Sequence, residues 1–192
     1  MTDLANPIAA APARAAFRTF EESTADDWSI ITSHFPETQA RVADHALWLM
    51  QSLEHDDGGF PVNRLQHSLQ TAARAENGGE NEEYVMCALL HDIGDTLAPM
   101  NHPAIAGDML KGVVSEGHHW MVLHHGIFQG YYFWHHLGLD RDTRNGFRDS
   151  PYYDLTDEFT AKYDQTAFDP DFVSPSLDYY APMVRRLFAN KS

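Results

Sequence analysis

The sequence predicts an all-α fold, and three observations carry that prediction. Apolar residues recur at the three-and-four spacing that lines one helical face. The runs so defined are bounded by capping residues and by glycine or proline, and no run keeps the two-residue alternation of a half-buried strand. No internal repeat is visible either.

The elements follow in order. Between Glu37 and Leu53, the residues Val42, Ala46, Leu49, Met50 and Leu53 share one face, and Asp56-Asp57-Gly58-Gly59 then breaks the helix. A second helix carries Leu65, Leu69, Ala72 and Ala73 and stops at Gly78-Gly79. Asn81 caps a third, with Glu82 and Glu83 complementing the dipole of its first turn; it ends near His91, with Gly94 available for a left-handed cap. Pro103 suits the first turn of a helix reaching about Lys111. Ser115-Glu116 opens a long helix, rich in histidine and aromatic residues, that Gly138 ends after Leu137. The stretch from Asp140 to Tyr153 reads as a loop with at most a short helix. Thr156-Asp157-Glu158 caps a helix bearing Tyr163 and Asp164, and a last helix runs from near Ser176 to near Phe188.

Bulk properties narrow the function. The 192 residues suit one domain over 21–192 behind a flexible, alanine-rich segment over 1–20, and 43% hydrophobic content is enough for a packed interior. Cys87, the one cysteine, lies in the apolar run Val85-Met86-Cys87-Ala88-Leu89-Leu90 and reads as an inert core thiol of a reducing, cytoplasmic protein. A formal net charge of −15 disfavours nucleic-acid binding, which needs lysine and arginine to neutralise phosphates. The first sixteen residues lack the basic start and apolar stretch of a signal peptide, and no segment reaches the roughly 20 apolar residues of a membrane span. The expected partner is a small molecule.

The most informative segment is Leu89-Leu90-His91-Asp92-Ile93-Gly94-Asp95, which sets an imidazole beside a carboxylate at a helix end. A carboxylate has two oxygens and can bridge two metals, while the adjacent histidine fills a terminal position. With His67 upstream and His102, His125 and Asp164 downstream, the set offers four neutral nitrogens and two carboxylates. Such a mixture suits iron, manganese or zinc rather than calcium or magnesium. Each ligand sits on a different predicted element apart from the His91-Asp92 doublet, as expected where helices of a bundle converge on a metal. His124 and His125 point about 100° apart, so one of them serves; His125 is chosen and His124 is the alternative. His118 shares the face of His125 and is a candidate to support a ligand or to touch substrate, whereas His34, His45 and His55 read as surface or half-buried groups.

These residues resemble the spaced pattern of the HD-domain superfamily: a histidine, a His-Asp doublet, further histidines and a final aspartate. Leu65-Gln66-His67-Ser68-Leu69-Gln70-Thr71-Ala72 and Leu90-His91-Asp92-Ile93-Gly94 are similar to the first-ligand and doublet segments of the phosphonate-cleaving diiron oxygenases, and Lys162-Tyr163-Asp164 resembles the last-ligand segment of the more distant inositol oxygenases. The likeness runs from Val62 to Asp164. It implies an HD-domain helical bundle holding two iron ions, Fe(II)/Fe(III), bridged by Asp92, with His67, His91, His102, His125 and Asp164 as terminal ligands. It also implies dioxygen as co-substrate and oxidative cleavage of the C–P bond of a small 1-hydroxyphosphonate. The expected substrate is (1-hydroxy-2-(trimethylamino)ethyl)phosphonate, which would give glycine betaine and phosphate.

The chain departs from that family at several places. Asp95 stands where the doublet motif ends in histidine, and residues around Asp57 and Phe60 replace the lid that recognises a free amine. The run Phe128-Gln129-Gly130-Tyr131-Tyr132-Phe133-Trp134 lacks the family's lysine but offers aromatic faces suited to a quaternary ammonium. Asp57, Asp95, His118, Gln129 and Lys162 are accordingly the expected substrate contacts, with Arg144, Arg148, Thr143 and Ser150 as further groups for the phosphonate. The rival expectation is a metal-dependent phosphohydrolase using the same ligands, in which metals activate a water.

Overall fold

The computed structural model describes residues 13–55 and 57–189, and among them it contains nine α-helices and no strand. The chain divides into two compact units, residues 1–41 and 42–192.

The first unit holds α1 (Ala25–Ser33) and α2 (Phe35–Ala40). Thr24 and Asp27 form a reciprocal capping box: Thr24 Oγ1 accepts from the Asp27 amide, and Asp27 Oδ2 accepts from the Thr24 amide at 2.9 Å. Asp27 Oδ1 also accepts from Ala16 N at 3.0 Å, and these donors hold its carboxyl below the usual range. The Thr-x-x-Asp spacing is legible in the sequence, yet this helix was not among those expected. Residues 1–12 of the expected flexible segment lie outside the described residues. Its last part is fastened, with Phe17 stacked on Trp28 at 6.4 Å. The single helix expected from Glu37 to Leu53 breaks at Arg41, whose amide bonds back to Thr38 O in a tightened last turn.

The second unit contains α3 (Val42–Ser52), α4 (Arg64–Asn77), α5 (Glu82–Leu90), α6 (His102–Leu110), α7 (Glu116–Phe133), α8 (Tyr153–Phe159) and α9 (Leu177–Ala189). Its axis is α5. Every residue from Tyr84 to Leu90 is buried, as for a helix that is apolar all round, and it packs against α4, α7 and α9. Cys87 lies fully inside, and burial pushes its thiol well up, so it is unreactive. Caps stand where the sequence places them: Asn81 Oδ1 accepts from Tyr84 N at 3.0 Å, Ser115 accepts from His118 N, and Gly138 closes the α7 segment in the left-handed conformation at φ 73°.

Three local expectations are corrected. The α-helix from Ser115 stops at Phe133 and tightens into a 3-10 turn over Trp134–Leu137, with the Trp134 ring folded onto Gly130, where no Cβ would fit. The helix before Asp164 begins at Tyr153 rather than Thr156; the Thr156 hydroxyl donates to Tyr152 O within it instead of capping it. Gly94 is not a left-handed cap. It allows close approach, since a Cβ there would lie 2.8 Å from Ile105 Cβ and 3.0 Å from the His102 backbone. The turns after α5 thus rest directly on the start of α6.

Gly94→Ala is therefore expected to destabilise the fold by about 1–3 kcal/mol through overpacking. Urea unfolding checks this; unchanged stability would mean that α6 can shift freely away from the doublet segment.

Candidate metal centre

The structure brings His67, His91, Asp92, His102, His125 and Asp164 together. Helix α4 presents His67 one turn in from its Asn63 cap, which forms a capping box with Gln66. His91 and Asp92 follow the last turn of α5, His102 opens α6, and His125 lies midway along α7. Asp164 closes a π-helical turn, Thr160–Asp164, sealed by the Gln165 amide donating to Thr160 O at 3.1 Å. Such a widened turn places a side chain at an angle that a regular helix does not offer.

The tautomers of the four imidazoles follow from their outer contacts. Each Nδ1 meets a backbone carbonyl: His67 at Ala167 (3.1 Å), His91 at Ala88 (2.8 Å), His102 at Pro99 (2.7 Å) and His125 at Val122 (2.7 Å). A carbonyl only accepts, so the proton sits on Nδ1 and the Nε2 lone pair of each neutral ring points inward. Those lone pairs nearly meet, with His67 and His91 Nε2 atoms 3.2 Å apart and the His102 and His125 pair 3.2 Å apart. Facing lone pairs repel unless a proton or a metal ion lies between them.

Asp92 separates the cluster into halves. Its Oδ2 lies 3.4 Å from His67 Nε2 and 3.5 Å from His91 Nε2, whereas Oδ1 lies 3.2 Å from both His102 and His125 Nε2. Asp164 Oδ1 completes the first half at 3.2 Å from His67 and 3.6 Å from His91. Donors bound to one ion at about 2.1 Å are spaced about 3.0–3.4 Å from one another, the edge of an octahedron or tetrahedron. The observed separations lie close to those edges. Asp164 Oδ2 is buried with no hydrogen-bond partner, a further donor aimed at nothing the protein supplies. The groups His67/His91/Asp164 and His91/Asp92/His125 can thus hold metal, and a donor set of imidazole and carboxylate fits a transition ion.

Electrostatics agree with that reading. Burial lowers the basicity of His91, but the charge of Asp92 and the hydrogen bond to Asp164 outweigh it and lift the imidazole to about 9. Burial likewise opposes protonation of His102, while Asp92 and Asp95 raise it to about 10. Asp92 and Asp164, despite burial, stay well below the ordinary carboxylate range because imidazoles face them.

The other expected residues fall in different places. His124 stacks on Trp120 at 4.0 Å and abuts Phe147, so it belongs to an aromatic layer and not to the cluster. His118 bonds Glu83 at 2.7 Å and joins α7 to α5. Lys162 is exposed and paired with Glu158; Asp57 is exposed and caps a turn by accepting from Gly59 N at 2.8 Å. Neither touches the ligands. Gln129 does, donating through Nε2 to Asp164 Oδ1 at 2.7 Å, so it orients a ligand. Asp95 is buried behind His102, with Oδ1 2.9 Å from His102 Nδ1 and Oδ2 2.9 Å from Arg64. Among the phosphonate candidates, Arg144 pairs with Asp157, Arg148 with Asn145, and Thr143 donates to Asp140 O. Ser150 Oγ accepts from Tyr152 N. The aromatic run is not an open cage: Phe128 is core, and the Tyr131 ring carries Arg141 at 3.9 Å and Arg144 at 3.6 Å.

Sequence reasoning missed Phe168, stacked on the His67 ring at 4.4 Å, and Arg64. Phe168 lies four residues beyond Asp164, and Arg64 one helical turn before His67. That proximity to ligands was the available signal.

No family model matches the chain, and no curated protein is significantly similar to it. Among the described residues, no helix is long and apolar enough to cross a membrane.

Because His91 and His102 titrate near 9 and 10, both carry a proton at neutral pH when no metal is bound, and ligation must displace it. Metal affinity is therefore expected to rise with pH up to about those values, with proton release on binding at pH 7. Calorimetric titration in buffers of different ionisation enthalpy measures this; proton-neutral binding at pH 7 would contradict it.

Proposed function

We propose that the chain is a diiron oxygenase of the HD-domain type, which uses dioxygen to cleave the C–P bond of a small 1-hydroxyphosphonate into a carboxylate and phosphate. The observation that carries the reading is the division of the cluster by Asp92, one oxygen toward His67 and His91 and the other toward His102 and His125. A bridging carboxylate between two nitrogen-rich halves suits a pair of irons. The resemblance of the His67 and His91-Asp92 segments to the phosphonate-cleaving enzymes supplies the substrate class.

A bound iron pair would supply the redox chemistry with dioxygen and the positive charge that meets an anionic phosphonate. The chain's own residues do the rest. The four carbonyl-bound Nδ1 groups hold the imidazoles in one tautomer, so little reorganisation is needed when substrate arrives. Gln129 holds Asp164 through one oxygen and leaves the other free. Phe168 lies flat on His67, and Phe60 on Phe168 at 5.5 Å, covering that half against water. The His102 side chain, 18% exposed where His67, His91 and Asp164 are fully buried, marks the side from which a small molecule can approach. An acidic chain of net charge −15 also favours the cationic end of an aminophosphonate zwitterion.

Protein loaded with iron is expected to release phosphate from (1-hydroxy-2-(trimethylamino)ethyl)phosphonate or its primary-amine analogue only in air, with matching oxygen uptake. His67→Ala and Asp92→Ala are each expected to abolish this release together with two-iron binding. Hydrolysis of phosphate esters under strict anaerobiosis with manganese or cobalt, and no oxygen uptake on phosphonates, would replace the oxygenase with a phosphohydrolase.

A further inference from the structure

Of the four cluster histidines, three are enclosed by packing, while His102 keeps 18% of its side chain exposed. Its ring is held by polar contacts instead. Nδ1 lies 2.7 Å from Pro99 O and 2.9 Å from Asp95 Oδ1. Asp95 is itself only 2% exposed, and a carboxylate so enclosed keeps its charge only beside a compensating cation. Arg64 provides it, with Nε 2.9 Å from Asp95 Oδ2.

Arg64 is held from its other side as well. Its guanidinium lies 4.1 Å from the centre of the Phe60 ring, Phe60 stacks on Phe168, and Phe168 stacks on His67. The chain of contacts therefore begins at a ligand of one half of the centre and, through Arg64 and Asp95, ends at a ligand of the other. No other described lysine or arginine forms an ion pair with a carboxylate that contacts a cluster ligand.

We propose that Arg64 is a positioning residue for the His102/His125 half of the metal centre: by fixing Asp95 it fixes the His102 ring, with Nε2 directed at Asp92 Oδ1. The inference rests on the two-ion reading of the cluster. Without Arg64, the enclosed Asp95 carboxylate loses the partner that fixes its orientation, and His102 keeps only the Pro99 carbonyl. The His67/His91/Asp164 half is held without an ion pair to lysine or arginine: both imidazoles are fully buried and bonded to backbone carbonyls, and Gln129 holds Asp164.

The test is metal stoichiometry and spectroscopy on iron-loaded protein. Wild type is expected to bind two irons per chain with a spin-coupled signature. Arg64→Met, which keeps an unbranched stem but removes the guanidinium, is expected to weaken the second iron about 10–100-fold and to yield a mononuclear signal. Arg64→Lys is expected to restore much of the second site, whereas a merely structural stem would make methionine and lysine equivalent. Asp95→Asn combined with Arg64→Met is expected to bind iron no more weakly than Asp95→Asn alone, since the charge to be compensated is gone. Circular dichroism and thermal unfolding of each metal-free variant separate this outcome from misfolding. If wild type holds a single iron, the dinuclear reading fails first. If wild type and Arg64→Met both hold two with equal affinity and the same spectrum, this inference alone is overturned.

Discussion

Four imidazole lone pairs and two carboxylates turned toward one another in a protein interior are stable only with positive charge among them. The rest of the second unit is organised around that constraint. The outer nitrogen of each ring is committed to a backbone carbonyl, so the rings cannot relieve the crowding by switching tautomer. Protons or metal ions must therefore supply the charge. Raised imidazoles beside depressed carboxylates are the proton form of that same requirement.

The fold meets the constraint with a rigid apolar axis and several local irregularities. Helix α5 is buried along nearly its whole length and delivers His91 and Asp92 at its end, where the chain leaves the helix in tight turns. Gly94 lets α6 press against those turns and bring His102 within reach of Asp92. The π-helical turn after α8 aims Asp164 at the opposite side. His67 and His125 come from regular helices, and the departures from regularity occur where the other ligands are presented.

Much of the helical framework was legible because caps and apolar spacing are local signals. Asn81, Ser115 and Gly138 act as their residue types suggest, and the doublet at the end of an apolar run lies deep. The misses share a cause. Arg64, Phe168 and the roles of Gln129 and Asp95 depend on contacts between residues distant in the chain or lying beyond a ligand's own motif, and no periodicity encodes them. Asp95 reads as a substrate contact from its place in the motif, but burial behind His102 makes it a support for the ring. The aromatic run in α7 has the composition of a cation cage, yet Tyr131 already holds the chain's own arginines.

Residue order by itself determined the helical class, most helix ends and the stock of metal-binding side chains, since these depend on spacing and on the chemistry of single residues. Only the tertiary structure decided which oxygen of Asp92 faces which histidines, that His125 and not His124 turns inward, and that basic groups near the motif are spent on ion pairs and ring faces. Those outcomes turn on angles and separations of a few ångströms between helices, which arise from packing and close approach and are written in no single segment.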